Sequence, residues 1–93
     1  MKNNDDTSLV ETFDPRREAR AMALEAICRL AVWSMDAPTY AGRGLRATVM
    51  LYCVRPDLIN DATLEEIGDF AGCTRQAVHK LANDFRLNMG LQT

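Results

Sequence analysis

Apolar residues recur at intervals of three and four in the amino-terminal third of the chain. The recurring positions are Ala19, Met22, Ala23, Ala26, Ile27, Leu30 and Trp33. Arginines fall largely outside that series, at Arg16, Arg17, Arg20 and Arg29. Such intervals keep side chains on one face of an α-helix. The pattern therefore predicts an amphipathic helix within residues 14–36, started by Asp14 and Pro15 and ended before Pro38.

A second helix is predicted over residues 45–54. The segment before it contains Pro38, Gly42 and Gly44, which are typical of a connection. Pro56 ends the helix, because the residue before a proline avoids helical geometry. The positions expected to face inward are Leu45, Val49, Tyr52 and Cys53. Residues 56–62 then form a turn-rich link.

Two short-range signals define a third and a fourth helix. Thr63 and Glu66 have the spacing of a capping box, which predicts a helix from Leu64 to about Ala71. Gly72 tolerates a positive φ and permits a sharp turn. Thr74 then caps a helix that runs to about residue 87.

No segment has the alternation of a β-strand, so the sequence predicts an all-α fold. Residues 44–87 form a trihelical domain in this interpretation, preceded by the long helix of residues 14–36. Residues 1–13 and 88–93 are expected to be flexible tails. Only six residues follow residue 87, too few for the β-hairpin of a winged helix.

Composition places the chain among ordinary globular domains. It has 93 residues, of which 47% are apolar and 26% charged, and this length suits one domain. No apolar run approaches the ~20 residues of a membrane span, and we expect a cytoplasmic protein. The net charge is −2, but the charge is unevenly distributed. Residues 57–71 carry five acids and no base, whereas residues 72–93 carry Arg75, Lys80 and Arg86 against Asp84.

The sequence offers little that resembles catalytic or metal chemistry. Cys28, Cys53 and Cys73 are widely spaced, so reduced and mostly buried thiols are expected rather than a zinc site. There is one histidine, and no phosphate-binding glycine loop. A capping role accounts for the adjacent Glu65 and Glu66. We expect no cofactor, no metal and no enzymatic activity.

The segment TLEEIGDFAGCTRQAVHKL, residues 63–81, looks like the helix-turn-helix of bacterial and phage DNA-binding regulators. It is also similar to the promoter-reading helix-turn-helix of sigma factors. The match covers about 25 residues and departs from the pattern at Gly68, where alanine is common, and at Cys73, where valine is common. The resemblance implies that the second helix enters the major groove of DNA. The implied DNA-binding residues are Thr74, Arg75, Gln76, His79, Lys80 and Asn83.

The spacing of the fourth helix agrees with that assignment. The residues expected to be buried are Val78, Leu81, Ala82 and Phe85. This leaves Arg75, Gln76, His79, Lys80 and Asn83 on one broad polar face. Arginine suits guanine, and glutamine and asparagine suit adenine. The alternative is an ordinary solvated helix face. We expect Glu65, Glu66 and Asp69 to point away from DNA, and ask whether Arg75, Lys80 and Arg86 form one stripe with Arg43 and Arg46.

Three functions compete on this basis. The first is a small sequence-specific regulator that binds double-stranded DNA. The second is a protein-interaction module that contacts RNA polymerase or another regulator through Met22, Ile27 and Trp33. The third is a phage DNA-packaging subunit similar to small terminases, whose DNA-binding unit usually comes first. Because one small module makes few base contacts, we also hypothesise a homodimer through the helix of residues 14–36.

Overall fold

The computed structural model of the protein describes residues 14–91. Within that range the chain has no β-strand. Its α-helices are α1 (Pro15–Ser34), α2 (Tyr40–Val54), α3 (Leu64–Ala71) and α4 (Arg75–Asn88), with a short 3-10 helix at Pro56–Ile59 between α2 and α3. The all-α prediction is therefore confirmed, while the tail predicted over residues 1–13 lies outside the described residues. None of the described helices is long and apolar enough to cross a membrane.

The chain divides into two compact units between Leu30 and Ala31, inside α1. We call residues 15–30 the amino-terminal segment and residues 31–91 the helical unit. In the amino-terminal segment, Asp14 Oδ1 accepts a hydrogen bond from the Arg16 N–H at 3.0 Å, which confirms the predicted helix start.

The side chains of the amino-terminal segment are exposed from Pro15 to Arg29. Met22 is 62% exposed and Ile27 is 60% exposed, although both belong to the apolar series that predicts a buried face. Leu24, outside that series, is also exposed. The amphipathic pattern was therefore right about helicity, but it does not correspond to a buried face in the single chain.

Trp33 belongs to the helical unit and is only 5% exposed. Its ring packs edge-on against Phe85, with ring centroids 4.9 Å apart. Its indole N–H donates to Asp84 Oδ2 at 2.9 Å. The guanidinium of Arg46 lies over the Trp33 ring, 4.0 Å from the ring centroid. These contacts join the end of α1 to α2 and α4 through packing, a hydrogen bond and a cation–π interaction.

Helix α2 begins at Tyr40, five residues before the predicted start. Thr39 caps the helix, because its hydroxyl oxygen accepts from the Gly42 N–H at 3.0 Å. Gly42 is not a helix breaker here: a Cβ at this position would lie 3.0 Å from the Cβ of Ala37, so glycine allows the chain to fold tightly against the helix start. The prediction was wrong because it treated this glycine as part of a loop.

The core of the helical unit lies where α2, α3 and α4 meet. Its buried apolar side chains are Trp33, Val49, Leu64, Ile67, Val78, Ala82 and Phe85. Leu81 is half-buried. The expectation of mostly buried thiols was wrong, because Cys28 is exposed and Cys53 and Cys73 are half-buried; all three are free.

Candidate nucleic-acid interface

Capping interactions fix the start of α3. The Glu66 N–H donates to Thr63 Oγ1 at 3.1 Å, and the Thr63 N–H donates to Glu66 Oε1 at 2.8 Å. This reciprocal pair is the capping box that the sequence predicts. Gly72 ends the helix in the left-handed region, at φ 73° and ψ 31°. A side chain is disfavoured in that conformation, so the glycine permits the short turn into α4.

Gly68 allows the turn to pack closely onto α3. A Cβ at Gly68 would lie 2.7 Å from the carbonyl oxygen of Cys73, a backbone atom. The carbonyl oxygen of Gly68 in turn accepts a hydrogen bond from the Cys73 N–H at 2.9 Å. The departure from alanine at this position therefore has a local reason: here the turn approaches α3 too closely for a methyl group.

The first turn of α4 is capped by Thr74. Its Oγ1 accepts from the Ala77 N–H at 3.1 Å, so the hydroxyl hydrogen remains available to a ligand. The N–H groups of Arg75 and Gln76 precede the helical hydrogen-bond ladder and also face outward for a ligand or water. Together they form the kind of helix start that accepts a phosphate oxygen.

All six residues predicted to contact DNA are exposed on α4 and its cap, and the structure brings them onto one helix. They are Thr74, Arg75, Gln76, His79, Lys80 and Asn83. On the opposite side of the helix, Val78, Ala82 and Phe85 are fully buried. Burial of that side fixes the rotation of α4 about its axis, which leaves the six polar side chains accessible.

The charge around this surface is less positive than the sequence suggested. Arg46 does not contribute, because its side chain is only 13% exposed and its Nε donates to the Trp33 carbonyl at 2.7 Å. The Arg43 Nε donates to the Ala37 carbonyl at 2.8 Å. With these two arginines engaged elsewhere, Arg75 and Lys80 are the cationic side chains that α4 exposes in its amino-terminal half.

The surroundings of Arg75 include an acidic residue, Glu65. The two residues line one hollow of about 420 Å³, which also includes Asp61. No salt bridge joins Arg75 to an acid among residues 14–91. The carboxylate of Glu65 nevertheless lowers the positive potential around Arg75, because both residues line the same hollow. The arginine is thus exposed to solvent, in a partly neutralised environment.

A second surface feature was missed by sequence reasoning. Phe70 on α3 is 91% exposed and lines an apolar groove of about 410 Å³ between α2 and α3. The other lining residues are Ala41, Leu45, Thr48, Ile59, Ala62, Ile67 and Ala71. Ala71, the last residue of α3, is exposed at this groove. The sequence could have indicated this feature, because Phe70 does not lie on the helix face formed by the buried residues of α3.

Comparison of the chain with protein-family models, curated proteins and solved structures finds no match. Within residues 14–91 no three histidine, cysteine or acidic side chains come together in a way that would hold a metal ion.

Proposed function

We propose that residues 63–88 form a helix-turn-helix that binds double-stranded DNA in a sequence-specific way. The protein would act as a small bacterial or phage transcriptional regulator, and not as an enzyme. The observation that supports this most directly is the rotation of α4: Val78 and Phe85 are fully buried, while Arg75, Gln76 and Lys80 are exposed just after a glycine turn. That is the orientation a recognition helix needs.

Each exposed residue has a role suited to its chemistry. The planar guanidinium of Arg75 can donate two hydrogen bonds to O6 and N7 of guanine, and the amide of Gln76 can pair with adenine in the same way. Thr74 and Lys80 suit phosphate oxygens, which position the helix without reading sequence. His79 and Asn83 lie further along α4 on the exposed side and would contact bases or the sugar–phosphate backbone.

The weak positive charge favours specific over nonspecific binding. Nonspecific affinity comes from lysines and arginines that displace counterions from the phosphates. Here Arg43 and Arg46 are engaged within the protein, and Glu65 lies beside Arg75. Affinity must then come mainly from base contacts, so we expect a shallow dependence on salt concentration.

The decisive experiment is selection of binding sites from a random DNA pool, followed by mobility shifts. We expect an enriched motif, and Arg75→Ala to weaken binding to that motif by about 1–3 kcal/mol, roughly 5- to 150-fold. Arg55→Ala is the matched control, since Arg55 is exposed but paired with Asp57 at 2.7 Å and is not one of the α4 residues proposed to contact DNA. A pool without enrichment, together with no effect of Arg75→Ala, would contradict DNA binding.

Glu65→Gln tests the electrostatic part of this proposal. The change keeps the size and the helix position but removes the charge beside Arg75. We expect DNA to bind several-fold more tightly, with a steeper dependence on salt. Asp69→Asn, on the same helix but outside the Arg75 hollow, should change binding less.

The groove beside Phe70 favours a second candidate, a protein-interaction module that contacts the transcription machinery or another regulator. An apolar hollow of about 410 Å³ with an exposed aromatic residue suits one or two apolar anchor side chains. The five acids of residues 57–71 favour a basic amphipathic helix as the partner. Trp33 cannot belong to such a surface, because it is buried in the helical unit.

The two candidates make opposite predictions for two variants. If DNA binding is the function, Phe70→Ser leaves the DNA motif and affinity unchanged, whereas Arg75→Ala weakens binding. If the groove is the functional site, a basic amphipathic peptide binds to the protein and Phe70→Ser abolishes that binding, while Arg75→Ala does not affect it. Titration of one peptide and one selected DNA against both variants separates the candidates.

A further inference from the structure

The amino-terminal segment exposes several large apolar side chains, among them Met22, Leu24 and Ile27. Its apolar series consists of Ala19, Met22, Ala23, Ala26, Ile27 and Leu30. Of these only Leu30 is even half-buried. A helix of this length is only marginally stable alone in water, and exposure of Met22 and Ile27 adds a hydrophobic cost. The segment therefore requires a partner that covers the series.

We propose that this partner is the same segment of a second copy, packed antiparallel. Two helices that meet along a series of spacing three and four pack closely when small side chains oppose large ones. An antiparallel register achieves this by placing Ala19 opposite the partner's Leu30 and Met22 opposite the partner's Ile27. Ala23 then meets the partner's Ala26 near the two-fold axis, where the backbones approach most closely.

A parallel pair lacks this complementarity. Each residue of the series would meet its own copy, so that alanines oppose alanines at positions 19, 23 and 26, while methionine opposes methionine at 22. Layers of alternating width leave gaps, and gaps in a helix interface cost free energy. The helix dipoles also favour the antiparallel arrangement, because side-by-side dipoles attract when they point in opposite directions and repel when they are aligned.

Charge complementarity points to the same register. Glu18 and Arg29 are eleven residues apart, about three helical turns, so they lie on one flank of the series. In an antiparallel pair this flank faces its own copy, which brings Glu18 of each copy beside the partner's Arg29, twice by symmetry. Arg29 already pairs with Glu25 of its own helix at 3.1 Å, which limits repulsion between the two Glu25 carboxylates. Arg16 and Arg20 lie on the other flank, which also faces its own copy, and the two-fold axis places the arginines of the two copies at opposite ends of the pair.

The self-association requires no DNA and stands apart from the proposed function. If both hold, the dimer presents two copies of α4, which suits a DNA site with two-fold symmetry.

Sedimentation equilibrium of the full chain, without DNA, tests the proposal. We expect a dimer, and charge reversal by Glu18→Arg or by Arg29→Glu to weaken it about tenfold or more. An equimolar mixture of these two variants should recover wild-type affinity, because each antiparallel contact then joins opposite charges. Arg17→Glu, on the far side of the helix from the series, is the matched control and should leave association unchanged. Circular dichroism of each variant checks that the helices remain folded.

Several outcomes would overturn the pairing. A wild-type chain that stays monomeric at tens of micromolar would do so, as would single charge reversals without effect. Recovery by a mixture of Glu18→Arg with Arg20→Glu, instead of with Arg29→Glu, would indicate a parallel pair. A monomer that still selects a DNA motif would overturn the pairing and leave the proposed function intact.

Discussion

Helix α1 contains two stretches whose sequences look alike but whose environments are opposite. Ile27 and Trp33 belong to the same apolar series, yet Ile27 is exposed and Trp33 is buried. The difference lies outside the helix: Trp33 meets Arg46, Asp84 and Phe85, which α2 and α4 supply. Helical spacing determines which residues can share a face. Residues distant in sequence determine whether that face is covered within the chain.

The largest effect should come from a matched pair of truncations on this helix. Trp33→Ala removes the ring packed on Phe85 and leaves a cavity, so we expect a loss of about 3–5 kcal/mol in the free energy of unfolding. Ile27→Ala removes a side chain that is exposed in the single chain, and at concentrations where the chain is monomeric it should change the free energy of unfolding of the helical unit by less than about 0.5 kcal/mol. Urea denaturation followed by circular dichroism measures both. Equal losses would remove the contrast between the two stretches.

Glycine substitutions test how tightly the helical unit is packed. Gly68→Ala introduces a methyl group 2.7 Å from the Cys73 carbonyl oxygen, and we expect a destabilisation of about 1–3 kcal/mol. Gly44→Ala is the control, because a Cβ there has no atom within 4 Å and alanine is the better helix former. Thermal unfolding should therefore show opposite shifts of the midpoint. A neutral Gly68→Ala would mean that the turn relaxes easily.

The two stretches of α1 also differ in how much the acidic residue that contacts each of them contributes to stability. Asp84 accepts from the Trp33 indole at 2.9 Å and lies 4.0 Å from an Arg46 nitrogen. Asp84→Asn keeps an acceptor but removes the charge, so we expect a loss of about 1 kcal/mol. Glu25 pairs with Arg29 on an exposed helix surface, and Glu25→Gln should cost about 0.5 kcal/mol or less. Denaturant titrations at low and high salt should show that the effect of Glu25→Gln shrinks more with added salt than the effect of Asp84→Asn does.

The smallest expected effect is a difference in reactivity between two thiols, one in each part of the chain. Cys28 is exposed in the amino-terminal segment, whereas burial raises the pKa of the Cys53 thiol, an effect that the nearby Arg86 partly offsets. At pH 8 we expect iodoacetamide to alkylate Cys28 faster than Cys53, as measured by peptide mass spectrometry. Equal rates would show that the helical unit opens as readily as the amino-terminal segment.

The raised pKa of Cys53 also fixes the sign of a pH effect. A thiol whose pKa is higher in the folded state favours folding while it is protonated, below the ordinary thiol pKa of about 8.5. This contribution is lost as pH rises through the folded-state value. Stability should therefore fall slightly at alkaline pH, and Cys53→Ala should reduce that fall.

Elements defined by local signals were the ones that the sequence predicted best. The capping box at Thr63, the left-handed Gly72 and the Thr74 cap act over three or four residues, and they predicted the bounds of α3 and the start of α4. The start of α2 was missed because Gly42 is needed for a close approach to Ala37, a contact that only the fold creates.

In the candidate site, too, the features set by local sequence could be predicted and those set by packing between helices could not. The exposure of Arg75, Gln76 and the other polar residues of α4 follows from helical spacing and could be predicted. The engagement of Arg46 with Trp33 and the position of Glu65 beside Arg75 depend on how separate helices pack, so spacing alone did not reveal them. The exposed Phe70 was missed because a buried site is the usual place for an aromatic residue.

The surroundings of Trp33 have a practical consequence. It is the only tryptophan of the chain, and its indole is held between a carboxylate, a guanidinium and a phenyl ring. Its intrinsic fluorescence should therefore report, without any label, whether the end of α1 stays packed in the core. A shift of the emission maximum to longer wavelength when DNA or a second copy is added would show that binding changes the packing around Trp33.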